Sequence, residues 1–168
     1  DFQAIVDLVG DKLREVFNNG DIGIDWYDEK ASLFHVLYAY QHGKRLTIAP
    51  QPIISGGAIE KMIKTRQPFV PDTSVPLPGT DKNKSAIYVP IIGSDRVLGG
   101  IALENFEREN AYGESELRLL TTIAASLGTA LENARLFDET QRLFKAEQER
   151  VAELQIINSI QQGLAAEL

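Results

Sequence analysis

From Glu114 to the last residue the chain contains no proline, and its apolar residues recur at helical spacing. Glu114 and Glu116 suit the positive end of a helix dipole, and Ser115 or Gly113 is placed to cap the start. A helix running to about Gln162 would be about 70 Å long at ~1.5 Å per residue. The residues before it make a domain only roughly 35–40 Å across. Such a rod leaves its own domain unless it breaks, and this mismatch restricts the architecture more than any other feature. Leu117, Leu120, Ala124, Leu127, Leu131 and Ala134 follow steps of three and four. After a phase slip, Phe137, Phe144, Val151, Leu154 and Asn158 resume a similar spacing. The first half is suited to packing on a sheet or a partner. The second half, ETQRLFKAEQERVAELQ, is charged around a narrow apolar stripe. A helix of that kind is marginal alone and calls for a second helix. The alternative is a helix kinked back onto its own domain.

The segments before the rod alternate between regular and irregular. Ile5, Val6, Val9, Leu13 and Val16 or Phe17 form one helical stripe, stopped by Asn18-Asn19-Gly20. DIGIDWY places Ile22, Ile24 and Trp26 on one face of a strand. LFHVLYAYQ, apolar and aromatic on both faces, reads as its hairpin partner, closed by His42-Gly43-Lys44-Arg45. All seven prolines then fall between Pro50 and Pro90. That region reads as loop around one short helix, from about Gly57 to Thr65, with Ser55 or Gly56 as its N-cap. SAIYVPIIG and RVLGGIALENF follow as two strands joined at Gly93-Ser94-Asp95-Arg96. Gly99-Gly100 inside the second strand marks a bulge or a close approach of another backbone.

Composition removes several classes of function. The net charge of −7 argues against a nucleic-acid partner, since phosphate-gripping surfaces are basic. No apolar run approaches the length of a membrane span, so no membrane partner is expected. There is no cysteine, hence no disulfide, thiolate nucleophile or thiolate metal site; this fits a cytoplasmic location. With His35 and His42 as the only imidazoles, no metal site is expected. Glu104, Glu107 and Glu109 are candidate general acids or cation ligands. No nucleophile, histidine or phosphate loop accompanies them, which favours a solvated rim.

Taken as a set, RVLGGIALENFERENAYGESELRLLTTIAASLGTALENARLF, FVPDTS and SAIYVPII resemble a GAF domain over residues 1–137. The helical segment LLTTIAASLGTALENARLF matches that family's pattern closely. The resemblance implies an α+β fold: an antiparallel sheet of about six strands, helices on one face and a loop-covered pocket on the other. A long C-terminal exit helix follows, so that 138–168 is a coiled-coil type linker toward a following module. INSIQQGLAAEL looks like the opening of another such first helix, with Ile157, Ile160, Leu164 and Leu168 on one face, which suggests a tandem array.

Members of this family are sensory modules that dimerise through their terminal helices and feed kinases, cyclases and other outputs. The resemblance therefore implies a non-catalytic small-molecule sensor, homodimeric through its N- and C-terminal helices and coupled to neighbouring modules of its own chain. The alternative is a ligand-free dimerisation and spacer module; a GAF-fold enzyme is the third reading. The pocket candidates are Trp26, Tyr38 or Tyr40, and Tyr88 as stacking surfaces, with Asp72 and Thr73 as polar contacts. Ser55, Gly56 and Gly57 open a helix whose N–H groups suit an anion. The competing reading of these residues is core packing and a simple cap. No resident cofactor is expected. Bilin-binding relatives attach their tetrapyrrole through cysteine, which excludes a covalent bilin here. His35 is the one residue that reads toward haem, with a structural role favoured, and a cyclic nucleotide stays open without support.

Overall fold

The computed structural model describes residues 1–18, 20–71 and 76–167. It comprises two compact units, Asp1–Glu132 and Asn133–Leu168. The boundary lies ahead of the 137/138 division read from the sequence.

In the first unit, α1 (Phe2–Val16) is capped by the Asp1 carboxylate, which accepts the Gln3 N–H at 3.1 Å. Asn18 at its end has a φ of 54°, a left-handed stop. β1 (Asp21–Asp28) and β2 (Leu33–Gln41) form an antiparallel hairpin. The register steps from Ile24↔Tyr38 to Asp25↔Val36, so Leu37 is the extra residue of a bulge. β3 (Lys44–Arg45) doubles back on β2 through His42-Gly43, whose φ values of 52° and 73° suit a two-residue hairpin turn. β4 (Gln51–Pro52) pairs with the start of β2.

α2 (Ala58–Thr65) begins on Gly57 rather than on Ser55 or Gly56. Gly57 has the extended backbone of an N-cap, and no side chain caps this end. Instead the Glu60 carboxylate accepts the Gly56 N–H at 3.3 Å. β5 (Ser85–Ile92) and β6 (Val97–Asn105) make a second hairpin, and β6 also pairs with β1. The antiparallel sheet runs β3-β2-β1-β6-β5, with β4 beside β2. This is the six-stranded α+β architecture expected from the sequence.

α3 (Glu114–Glu167) starts at Gly113, whose N–H donates to the Glu116 carboxylate at 2.9 Å. Its early residues Leu120, Ala124, Leu127 and Leu131 are buried in the main core. Val6 and Leu13 of α1 join them, with Ile22 and Ile24 of β1, Val89 and Ile91 of β5, and Ile101 and Leu103 of β6. One face of the sheet is thus sealed by α1 and the first turns of α3. The other face carries a smaller cluster, Tyr27, Phe34, Met62 and Val97, beneath α2. In the second unit the stripe Phe137, Phe144, Val151 and Leu154 is exposed.

Two close approaches fix this packing. A Cβ on Gly99 would overlap the carbonyl of Asp25, and one on Gly128 would overlap the carbonyl of Ile92. Gly99→Ala and Gly128→Ala should each cost about 2 kcal/mol or more, because backbone, not a movable side chain, stands in the way. Gly163→Ala, with nothing within 4 Å, should instead add up to about 1 kcal/mol of helix propensity. Urea unfolding of the three variants checks both signs; a neutral Gly99→Ala would contradict the β1–β6 register.

Candidate functional site

Strand alternation decides which residues reach the second face. Ile22, Ile24 and Trp26 point to the main core, so Gly23, Asp25 and Tyr27 point the other way. The same parity on β6 brings Gly100, Ala102 and Glu104 to this side, and Tyr88 comes from β5. On β2 it brings Phe34 and Val36 and, past the bulge, Ala39 and Gln41. These residues floor a cavity of about 430 Å³. Its roof is built by α2 and the proline-rich loops, through side chains such as Ile54, Ile59, Met62, Phe69 and Leu77. Phe69 and Tyr88 exchange both backbone hydrogen bonds, at 2.8 and 2.9 Å, which ties that loop to β5. The Tyr27 hydroxyl sits where a Cβ on Gly100 would be.

The floor is acidic and enclosed. No group among the described residues donates a hydrogen bond to the Asp25 carboxylate. Burial, and secondarily the negative charge of Glu104, raise its pKa to about 7. Glu104 also rises to about 7, first through burial and then through Asp21, while hydrogen bonds with Asn83 and Gln41 pull the other way. Burial raises Asp21 too, with the His42 and Gly43 N–H groups opposing. Burial and the neighbouring carboxylates hold the Tyr27 and Tyr88 phenols well above their ordinary value, so both stay protonated donors. Asp25, Asp81 and Glu104 line the cavity, and no lysine, arginine or histidine does so among the described residues. Among those residues no group of three or more carboxylates and imidazoles is placed to hold a metal ion.

Of the residues singled out from the sequence, Tyr40, Gly57 and Tyr88 line the cavity. Tyr40 does so from the strand while its ring lies 5.3 Å from that of Tyr38 and 3.8 Å beneath the Arg14 guanidinium, on the α1 side. Trp26 and Tyr38 lie on the helix-covered face instead. Trp26 meets Phe2 edge-on at 4.9 Å, and the Tyr38 hydroxyl donates to Asp11 at 2.8 Å. Ser55 and Gly56 are exposed and are not among the lining residues. Asp72 and Thr73 lie outside the described residues. His35 pairs with Trp26 across β1–β2 and does not line the cavity.

Glu107 and Glu109 are exposed, as a solvated rim requires. Glu104 is not: it is the cavity's second carboxylate, which corrects the rim reading for that residue. Asp25 and Tyr27 were missed, although alternation with Ile22, Ile24 and Trp26 already placed them opposite the helix core.

The first unit is thus an antiparallel sheet with helices on one face and a loop-roofed cavity on the other. The family model for the GAF domain matches residues 1–132, and the chain belongs to that family. Solved structures show the same fold at low identity. The second GAF domain of DevS from Mycobacterium smegmatis matches at TM-score 0.67 and 16% identity, over 85% of this chain and 99% of that one. The blue-light absorbing form of the PixJ GAF domain from Thermosynechococcus elongatus matches at 0.65 and 15%, over 87% and 94%. Free methionine-R-sulfoxide reductase from Neisseria meningitidis, in complex with its substrate, matches at 0.65 and 19%, over 81% of each chain. No curated protein matches the sequence significantly.

The raised carboxylates make stability depend on pH. A carboxyl whose folded pKa exceeds its unfolded value stabilises the fold fully below the unfolded pKa, about 4. That contribution is lost as pH rises through the folded pKa, about 7 for Asp25. Asp25→Asn removes the charge, so its stability relative to the parent should improve between pH 5 and pH 8. The expected gain is about 1–3 kcal/mol, after allowing for residual hydration from the cavity. Chemical denaturation across that range measures it; a pH-independent difference would mean that the carboxylate is already solvated.

Proposed function

We propose that this domain is a non-catalytic sensor that takes a small molecule into the cavity and passes its presence on through a paired α3. The observation that carries the reading is the cavity: about 430 Å³, mostly apolar, with a few polar groups converging on its floor. Its described lining holds no serine, histidine or lysine, and the chain has no cysteine. Among the described lining residues the one aliphatic hydroxyl, on Thr80, is engaged with the Leu77 carbonyl at 2.8 Å, which favours binding over turnover. A reductase of the same fold solved with its substrate supports the idea that the space under the loops takes a small molecule.

The output side rests on the exposed stripe of the second unit. Phe137, Phe144, Val151 and Leu154 are 64%, 60%, 44% and 53% exposed, on a helix otherwise rich in charge. A parallel or antiparallel copy would cover that stripe, giving a two-helix element whose packing the bound ligand biases. The chain has no helix, among the described residues, that is long and apolar enough to cross a membrane. The helix pair, not a lipid contact, is thus the occupant we favour for the stripe.

Two measurements test the proposal. A thermal-shift screen of metabolites should give at least one saturable rise in melting temperature that Tyr88→Ala abolishes. Truncation after Phe137 should weaken self-association by sedimentation, because the apolar stripe beyond it is gone. A screen without any hit would support the spacer role, and a monomer at every concentration would remove the helix-pair output.

A further inference from the structure

We propose that the ligand of this cavity is a small organic cation with an apolar or aromatic body, its protonated nitrogen received by Asp25, with the charge of Glu104 further along the floor adding to the attraction. The inference rests on the sensor reading above and names the class of molecule sensed.

The charge inventory is one-sided. Asp25, Asp81 and Glu104 line the cavity, and no basic side chain lines it among the described residues. The residues outside the description, 19, 72–75 and 168, include no Lys, Arg or His. Asp81 already has a partner, the His42 imidazole at 2.9 Å, and Glu104 has hydrogen bonds with Asn83 and Gln41. Asp25 has none among the described residues, although it is partly buried and lines the cavity. An enclosed carboxylate without a donor is costly, and a site that keeps one is incomplete until a donor arrives.

The helix end at the cavity roof, which would suit an anion, is taken. At the start of α2 the Glu60 carboxylate accepts the Gly56 N–H, and Lys64 holds the same carboxylate at 3.0 Å. A phosphate or carboxylate ligand would therefore meet acids on the floor and an occupied helix end at the roof. Around the acids stand the rings of Tyr27, Phe34, Phe69 and Tyr88, whose faces attract a cation and whose area suits a flat apolar body. Among the described residues no three carboxylates or imidazoles are placed to hold a metal ion, which favours an organic cation over a metal.

Binding should also be linked to protons. The groups that line the cavity with Asp25 are Tyr27 on its own strand, Glu104 on β6, Tyr88 on β5, Gln41 on β2, and Asp81 and Asn83 from the loop before β5; beyond the lining, the charge of Asp21 acts on Glu104 and the His42 imidazole holds Asp81. All the ionisable lining members among the described residues are acids or phenols. Asp25 and Glu104 hold protons near neutrality, so a cation that needs them ionised displaces protons and binds tighter as pH rises.

Three indoles of matched shape separate charge from fit: tryptamine, indole-3-acetamide and indole-3-acetate, titrated calorimetrically into the full chain. Tryptamine should bind best, and about tenfold more tightly at pH 8 than at pH 6. Glu104→Gln and Asp25→Asn should each weaken tryptamine by about tenfold or more, while leaving the neutral amide unchanged or improved. If Asp25→Asn does not fold, Glu104→Gln and the pH profile carry the test. Indole-3-acetate or inorganic phosphate binding as tightly as tryptamine would overturn the cation while leaving the sensor reading in place. Failure of tryptamine with binding of the amide would do the same. No binding by any probe, together with a metabolite screen that finds nothing, would overturn both.

Discussion

The meeting of β1 and β6 depends on the absence of side chains at Gly99 and Gly100. Gly99 faces the Asp25 carbonyl across the ladder, and Gly100 leaves the space that the Tyr27 hydroxyl fills. Any side chain at the first would part the two central strands; any at the second would evict the phenol from the cavity floor. One dipeptide thus serves both faces of the sheet. It keeps the helix-covered core closed through Ile101 and Leu103, and it sets Tyr27 beside Asp25 and Gly100 on the open side. Glycines weaken a strand through backbone entropy. Here they are tolerated because β1 and β5 flank β6 and hold it by full antiparallel ladders.

The same central strands carry the one arrangement that burial alone disfavours. Asp25 lies between Ile24 and Trp26, two residues anchored in the core, so strand geometry delivers its carboxylate to the opposite face regardless of its charge. Once there it meets Glu104 and no base. The fold accommodates this by shifting both acids toward neutrality rather than by pairing them, which keeps the charge available and lowers stability in the upper pH range. Natural folds keep such local conflicts mainly where function uses them, since packing alone would replace the acid with an apolar residue.

What could be read from the sequence was what rests on local pattern. The proline-free rod, the two hairpins, the stop at Asn18 and the close approach at Gly99-Gly100 follow from periodicity, turn chemistry and the geometry of glycine. What could not be read depends on distant cover. Glu104 and Glu107 look alike in ENFERE, yet Gln41 and Asn83 close over one and leave the other in water. The aromatic residues misled for a different reason. Ring size signals burial without saying on which face, and the bulge at Leu37 reverses the parity of β2, sending Tyr38 to the helix side. Trp26 carried its own answer, since it alternates in step with Ile22 and Ile24. The N-cap of α2 slipped because Ser55 is the better capping residue by type, whereas the chain turns two residues later at Gly57.

The route from cavity to helix is short within the first unit. Tyr88 and Glu104 lie on the cavity side of β5 and β6; their strand neighbours Ile87, Val89 and Leu103 lie in the core that buries Leu120, Ala124, Leu127 and Leu131 of α3. Gly128 brings the helix backbone against the carbonyl of Ile92, the last residue of β5. A contact that close transmits small displacements, because no flexible side chain stands between to absorb them. On the proposed reading, a ligand that neutralised the floor and pulled on Tyr88 or Glu104 would act on the same two strands that hold the first turns of α3. The shift that follows need be only a fraction of an ångström if the helix pair has two packings of nearly equal free energy. On the proposed sensor reading no moving domain need lie between cavity and α3, because the two faces of one hairpin, β5–β6, meet both.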